Sequence, residues 1–177
     1  IMYKKHLIIC FLLLNLLSCK EDRIGIADND GIAPGQIANT SVESLPGKVK
    51  ITYSLPPDED LMYVVAEYVN KSGKKFEFKA SLYTNYVIVE GFGDVNEYDV
   101  NLYAVDRGQN KSAPITLKVH SLKPPVDLVY ESLEITAGFG GIITKYKNDE
   151  KANVVINVLT QESLGKWVPA NSPGILY

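Results

Sequence analysis

The cysteine at position 19 is the residue best placed to do chemistry. It ends the run Leu16-Leu17-Ser18-Cys19, which fits a lipobox: an aliphatic side chain at the third position before the cysteine and a small one just before it. A signal peptidase needs the small Ser18 beside the scissile bond, and the Cys19 thiol must be free to take a diacylglyceryl thioether. Ahead of it lie the basic Lys4, Lys5 and His6, then the apolar stretch Leu7–Leu17, broken only by Asn15. That order reads as a secretory leader and not as structure. The apolar stretch is well short of the roughly 20 residues a spanning helix requires. Residues 1–18 are therefore expected to be removed as a lipoprotein signal peptide, leaving Cys19 to anchor the mature chain to a membrane through more than one acyl chain.

Other reactive residue types are scarce. The cysteines are Cys10 and Cys19, and the histidines are His6 and His120. Cleavage discards Cys10 and His6 and acylation consumes Cys19, so no disulfide is expected and no zinc site of several His and Cys ligands. A Ser-His-Asp triad would depend on His120 alone, without a Gly-x-Ser-x-Gly elbow. His120 is read instead as a strand-end residue near a joint between domains. Asp28-Asn29-Asp30-Gly31 lacks the remaining ligands of an EF-hand loop and reads as a turn. Asp58, Glu59 and Asp60 are adjacent on one loop, whereas a glycosidase sets two carboxylates across a cleft. The expectation is a chain with no enzymatic activity, no cofactor and no metal. Its 18 Lys+Arg and 21 Asp+Glu give a net charge of −3, and loss of Lys4 and Lys5 makes the mature chain more acidic. Without a basic cluster, nucleic-acid binding is excluded.

The rest of the chain is read as the scaffold that the anchor holds. Residues 19–33 are rich in Gly, Asp and Asn and are expected to form a tether. From Pro34 short alternating runs replace it, which argues for an all-β fold. Val49, Ile51, Tyr53 and Leu55 alternate with Lys48, Lys50, Thr52 and Ser54, as a strand with one buried face requires. Pro56-Pro57 stops that strand. Met62, Val64, Ala66 and Tyr68 form the next face, Asn70-Lys71-Ser72-Gly73 a hairpin turn, and Phe76, Phe78 and Ala80 another face. Tyr86–Glu90, Tyr98–Val105 and Ile115–Val119 complete the set. Several short strands at this spacing predict a β-sandwich.

Residues 34–123 resemble a fibronectin type III domain. The likeness rests on Pro34 at the start, on Tyr53 before Pro56-Pro57 where that family has an inward Trp, and on Phe92 spaced from Tyr98 as in its tyrosine corner. It rests most on Tyr98-Asp99-Val100-Asn101-Leu102-Tyr103-Ala104-Val105, which follows the family's sixth strand. Asp94-Val95 stand where the family usually has Pro-Gly, and the loop 106–112 has no Arg-Gly-Asp. The resemblance implies a Tyr98 hydroxyl bonded to backbone in the preceding corner, with Phe92 beneath it. Residues 124–177 are expected to be part of a second, truncated sandwich. Pro124-Pro125 serves as a stiff joint, strands are expected at Leu133–Ile135 and Gly140–Tyr146, and a third at Val154–Leu159 pairs with Lys166-Trp167-Val168. The tail is too short for seven strands.

The arrangement as a whole resembles surface lipoproteins of Bacteroidota that carry tandem fibronectin-like domains of unknown function. These often lie among polysaccharide-utilisation genes and often end in a discoidin-like domain, which has no counterpart here. Lys20-Glu21-Asp22 is similar to their export signal, which implies an outer-membrane lipoprotein facing the cell exterior. Two functions stay open. One is accessory glycan capture, with Tyr63, Tyr83, Tyr86, Tyr103 and Trp167 as rings on which sugar faces would stack and polysaccharide or other surface proteins as partners. The other is a structural spacer that presents a C-terminal binding module and has no ligand of its own.

Overall fold

The computed structural model describes residues 31–139 and 141–169. The expected leader, Cys19, the expected tether up to Asp30 and the residues after Pro169 lie outside them. Seven strands form the first unit: β1 (Ala38–Leu45), β2 (Lys48–Ser54), β3 (Leu61–Val69), β4 (Lys75–Ser81), β5 (Tyr86–Glu90), β6 (Glu97–Asp106) and β7 (Ile115–His120). They divide into a three-stranded sheet in the order β1-β2-β5 and a four-stranded sheet in the order β4-β3-β6-β7, and every pairing is antiparallel. The described chain is mostly β-strand, and this first unit is an immunoglobulin-like sandwich with the strand arrangement expected from the fibronectin type III resemblance. β4 pairs with β3 and not with β5, so the strand that switches sheets joins the larger one.

The alternation in the sequence builds the core directly. Val49, Ile51 and Tyr53 of β2 and Val87 and Val89 of β5 face Val64, Ala66 and Tyr68 of β3 and Val100, Leu102 and Ala104 of β6, all of them buried. The outward residues of β2 remain in or near solvent. β3 departs from this pattern, because Val65 and Glu67 point away from the core and yet are only 1% and 7% exposed. Something must cover that outer face, and the loop after β6 does so.

Tyr53 occupies the place where the family resemblance puts a Trp, and it carries a hydroxyl that the site does not accommodate. The side chain is buried and its oxygen has no hydrogen-bond partner. Burial pushes its pKa up to about 12, and the neighbouring Thr84 offsets this only in part. An unmade bond in a dry core costs about 1–3 kcal/mol. Tyr53→Phe removes the orphan atom while keeping the ring, so urea denaturation is expected to show equal or greater stability, by up to about 1 kcal/mol. A clear loss would mean that the hydroxyl has a partner in solution.

The second segment differs from its expectation in two places. Pro124-Pro125 leads into a helix, α1 (Pro125–Glu131), with Pro125 in its first turn. Proline has no N–H to lose there and its fixed φ already suits the helix, so the pair starts an element and is more than a stiff joint. The hairpins β8 (Glu134–Gly138) with β9 (Gly141–Lys145) and β10 (Leu159–Ser163) with β11 (Lys166–Pro169) come next along the chain. The strand expected over Val154–Leu159 does not form as such. Only Leu159 belongs to β10, and Val155, at 81% exposed, has no sheet to pack on.

Candidate functional site

The five nominated rings do not converge. Tyr63 on β3 and Tyr103 on β6 share the outer face of the four-stranded sheet, since Tyr63 pairs with Val105 and Tyr103 with Val65. Tyr86 lies on the other sheet, opposite Thr52. Tyr83 stands in the turn after β4 at 89% exposed, and Trp167 on the β10–β11 hairpin at 60%. Three of the rings are also covered. The Lys79 ammonium lies 5.0 Å from the centre of Tyr63, Lys111 lies 5.0 Å from Tyr103, and Lys50 lies 4.8 Å from Tyr86. An ammonium over a ring face is itself attracted to it, and a sugar would have to displace the cation before stacking. The Tyr63 hydroxyl also donates to Gln109 Oε1 at 2.9 Å.

One of those lysines, Lys111, belongs to the device that covers β3. Lys111 crosses the Tyr103 ring and bonds Glu67 Oε1 at 2.7 Å, while Lys75 of β4 bonds Oε2 at 2.9 Å. Burial alone would raise the Glu67 carboxyl, but the bonds from Lys111 and Lys75 outweigh it and hold the group below its ordinary range. The loop carrying Lys111 is fixed from behind. Asp106, fully buried, accepts from the Asn110 backbone at 2.8 Å and side chain at 2.9 Å. Ser112 and Ala104 exchange bonds of 2.9 and 3.0 Å. This is a satisfied structural network. Among the described residues, no three His, Cys, Asp or Glu side chains converge to hold a metal ion.

The corner at Tyr98 is built differently from its expectation. Its hydroxyl donates to the Asp94 side chain at 3.0 Å and not to backbone. Asp94, standing where the family has Pro-Gly, is held by Lys71 at 2.9 Å and by the Asn96 N–H at 2.9 Å. Those bonds, with that of Tyr98, keep its carboxyl far below the usual range. The tyrosine-to-backbone bond between the sheets is made by Tyr68, whose hydroxyl donates to the Glu90 carbonyl at 3.0 Å. Tyr68 also stacks on Phe92 at 4.7 Å and Phe76 at 5.1 Å, and meets Tyr98 edge-on at 5.8 Å. In the sequence it stood only as one more inward residue of an alternating strand.

The two ends of the sandwich are distinct. At one, Gln36 donates to the Pro114 carbonyl at 2.9 Å, which places the incoming chain beside the start of β7. At the other, where β7 ends, Leu122 donates to Leu45 at 3.0 Å and accepts from Gly47 at 3.1 Å, so the β1–β2 turn straps the outgoing chain. His120 ends β7 at this joint, with its carbonyl held by Ser44 Oγ at 2.7 Å. Gly47, at φ +64°, is the close point: a Cβ there would stand 2.9 Å from Pro125 Cδ. Beside this joint opens a groove of about 710 Å³. Its sandwich wall includes Phe76, Phe78 and Phe92, and its opposite wall is made by the start of α1 and by residues 150–154.

Residues 34–121 match a family described as "Domain of unknown function (DUF4959)", and residues 122–173 match "Domain of unknown function (DUF5126)". No curated protein matches the chain. Among solved structures, it is similar to the chicken CNTN1 FN1–FN3 domains at 13% identity and TM-score 0.45, covering 51% of this chain and 33% of that one. It is similar to the rat CD45 extracellular region, domains d3–d4, at 15% identity and TM-score 0.42, covering 51% of each chain. It is also similar to the FN5 domain of Drosophila Lar at 20% identity and TM-score 0.37, covering 52% of this chain and 98% of that one. The chain thus spans about a third of the first of these. Matches to two domain families of unknown function thus succeed one another along the chain, and the residues that match the first hold the seven-stranded sandwich.

Proposed function

We propose that the chain is the non-catalytic stem of a lipid-anchored cell-surface protein, a spacer that holds a C-terminal module away from the membrane in the service of polysaccharide capture. The observation that carries this reading is the placement of the two chain ends at opposite poles of the sandwich. The incoming chain is tied at Pro114 and the outgoing chain at Leu45 and Gly47. The 10 residues of β6 lie between those poles, and at about 3.3 Å per residue they span about 30 Å. The strapped joint fixes the direction in which the next segment leaves. The lysine-covered tyrosines favour this stem over a platform of stacking rings on the sheets.

The anchor is tested at Cys19. Cys19→Ala is expected to move the protein from the membrane to the soluble fraction of the producing cells, and unchanged membrane partition would remove the anchor from the reading. Protease added to intact cells is expected to digest the wild-type chain. Full protection until lysis would mean that it faces inward.

A further inference from the structure

We infer that the groove between the sandwich and α1 is a binding site for a neutral oligosaccharide, a role separate from that of the stem. A cleft of about 710 Å³ where two segments of a chain meet has the size and position typical of ligand sites. Its sandwich wall offers apolar ring surface. Phe76 already has Lys74 at 4.9 Å over its ring, which leaves Phe78 as the ring for the C–H face of a sugar. Gly47, Gly91 and Gly93 line the groove without side chains, and Gly47 and Gly91 sit at φ +64° and +86°, where other residues are strained. A side chain at Gly47 or Gly91 would meet Pro125 or the Tyr68 hydroxyl, whereas Gly93 has nothing within 4 Å and leaves the wall open there.

The charges in the groove select against an ionic ligand. Its charged lining residues are Lys48 and Lys151 against Glu90 and Glu150, two of each sign. Carboxylates accept hydrogen bonds and ammonium groups donate them, so the four together suit hydroxyl groups, which do both. A peptide added as a further strand at the β1–β2 turn fits less well, because strand addition needs a row of open backbone groups. Here the backbone of the turn is occupied: Gly47 donates to Leu122 at 3.1 Å and accepts from Phe92 at 3.2 Å.

The test uses the purified chain and isothermal titration with cellohexaose, xylohexaose, mannohexaose and maltohexaose, with hexagalacturonate as the acidic control. At least one neutral hexasaccharide is expected to bind with Kd below about 1 mM, and the acidic one to bind more weakly. Phe78→Ala should weaken binding by about tenfold or more. Because Phe78 also packs against the core, a second variant avoids that ambiguity. Val126 is exposed at the start of α1 and lines the groove, so Val126→Trp fills it without touching the core and should abolish binding. Three results overturn the inference: no neutral hexasaccharide bound at about 5 mM, a preference for the acidic one, or binding that Val126→Trp leaves unchanged. None of these bears on the stem, whose test is made on cells.

Discussion

Tyr68→Ala is expected to cost the sandwich about 3–5 kcal/mol, the range for removing a buried aromatic side chain. Tyr68 is 2% exposed and sits at the centre of the ring cluster, stacked on Phe76 and Phe92 and edge-on to Tyr98. Its hydroxyl is the tie from the four-stranded sheet to the Glu90 carbonyl of the three-stranded one. The alanine variant loses the apolar burial, leaves a cavity between the sheets and strands that carbonyl. Domains of this size are stable by only about 5–15 kcal/mol in total, so the loss is a large share of the whole. Tyr68→Phe separates the two contributions. It keeps the stack and removes only the tie, at about 1–3 kcal/mol if the carbonyl stays dry. Urea denaturation of the three proteins measures both steps. An alanine variant within about 1 kcal/mol of wild type would show that the ring cluster does not hold the sheets together.

Gly47→Ala is expected to be the most damaging small substitution at the joint, at about 2–3 kcal/mol. Two effects add. At φ +64° any side chain meets the steric penalty of the left-handed region, about 1–2 kcal/mol. The new methyl would also stand 2.9 Å from Pro125 Cδ, an atom of a rigid ring at the start of α1. Relief requires the β1–β2 turn and the outgoing chain to separate, which strains the bonds from Gly47 to Leu122 and from Phe92 to Gly47. Gly73 is the control. It has φ +80° but no neighbour within 4 Å of its would-be Cβ, so Gly73→Ala carries the backbone strain without the collision. Gly47→Ala should therefore be the less stable of the two and should be cut by trypsin after Lys123 faster than wild type, while Gly73→Ala should be cut at the wild-type rate. Equal losses, with no change in cleavage at Lys123, would mean that the turn does not clamp the joint.

Much of the fold was legible because it depends on a period of two. Val49-Ile51-Tyr53, Val64-Ala66-Tyr68 and Val100-Leu102-Ala104 declare their buried faces by alternation alone, and the polar turn at Asn70–Gly73 declares a hairpin. A different signal misled at Val154–Leu159, a run of β-branched and apolar residues without alternation, of which only Leu159 joins a strand among the described residues. The helix α1 was missed as well, because a seven-residue helix with one buried residue, Val129, leaves too short a trace of a 3.6-residue period.

The Leu16-Leu17-Ser18-Cys19 pattern, the shortage of His and Cys and the inward faces of the strands are properties of residue type and local spacing, and the sequence by itself determined them. The choice of Tyr68 over Tyr98 for the bond to backbone was decided by which hydroxyl reaches a carbonyl of the opposite sheet, a matter of sheet packing. The burial of Val65 and Glu67 was decided by a loop that returns over β3 from 44 residues away, where Lys111 meets Glu67. The covering of Tyr63 and Tyr86 was decided by strand pairing, which brings Lys79 and Lys50 over them, and that of Tyr103 by the same loop, which folds Lys111 back over its ring. The groove beside Gly47 exists only because the β1–β2 turn, the chain after β7 and residues 150–154 meet at one pole. Alternation reports which way a side chain points within its own strand. The surface opposite that side chain is set by contacts between distant segments, and those exist only once the chain has folded.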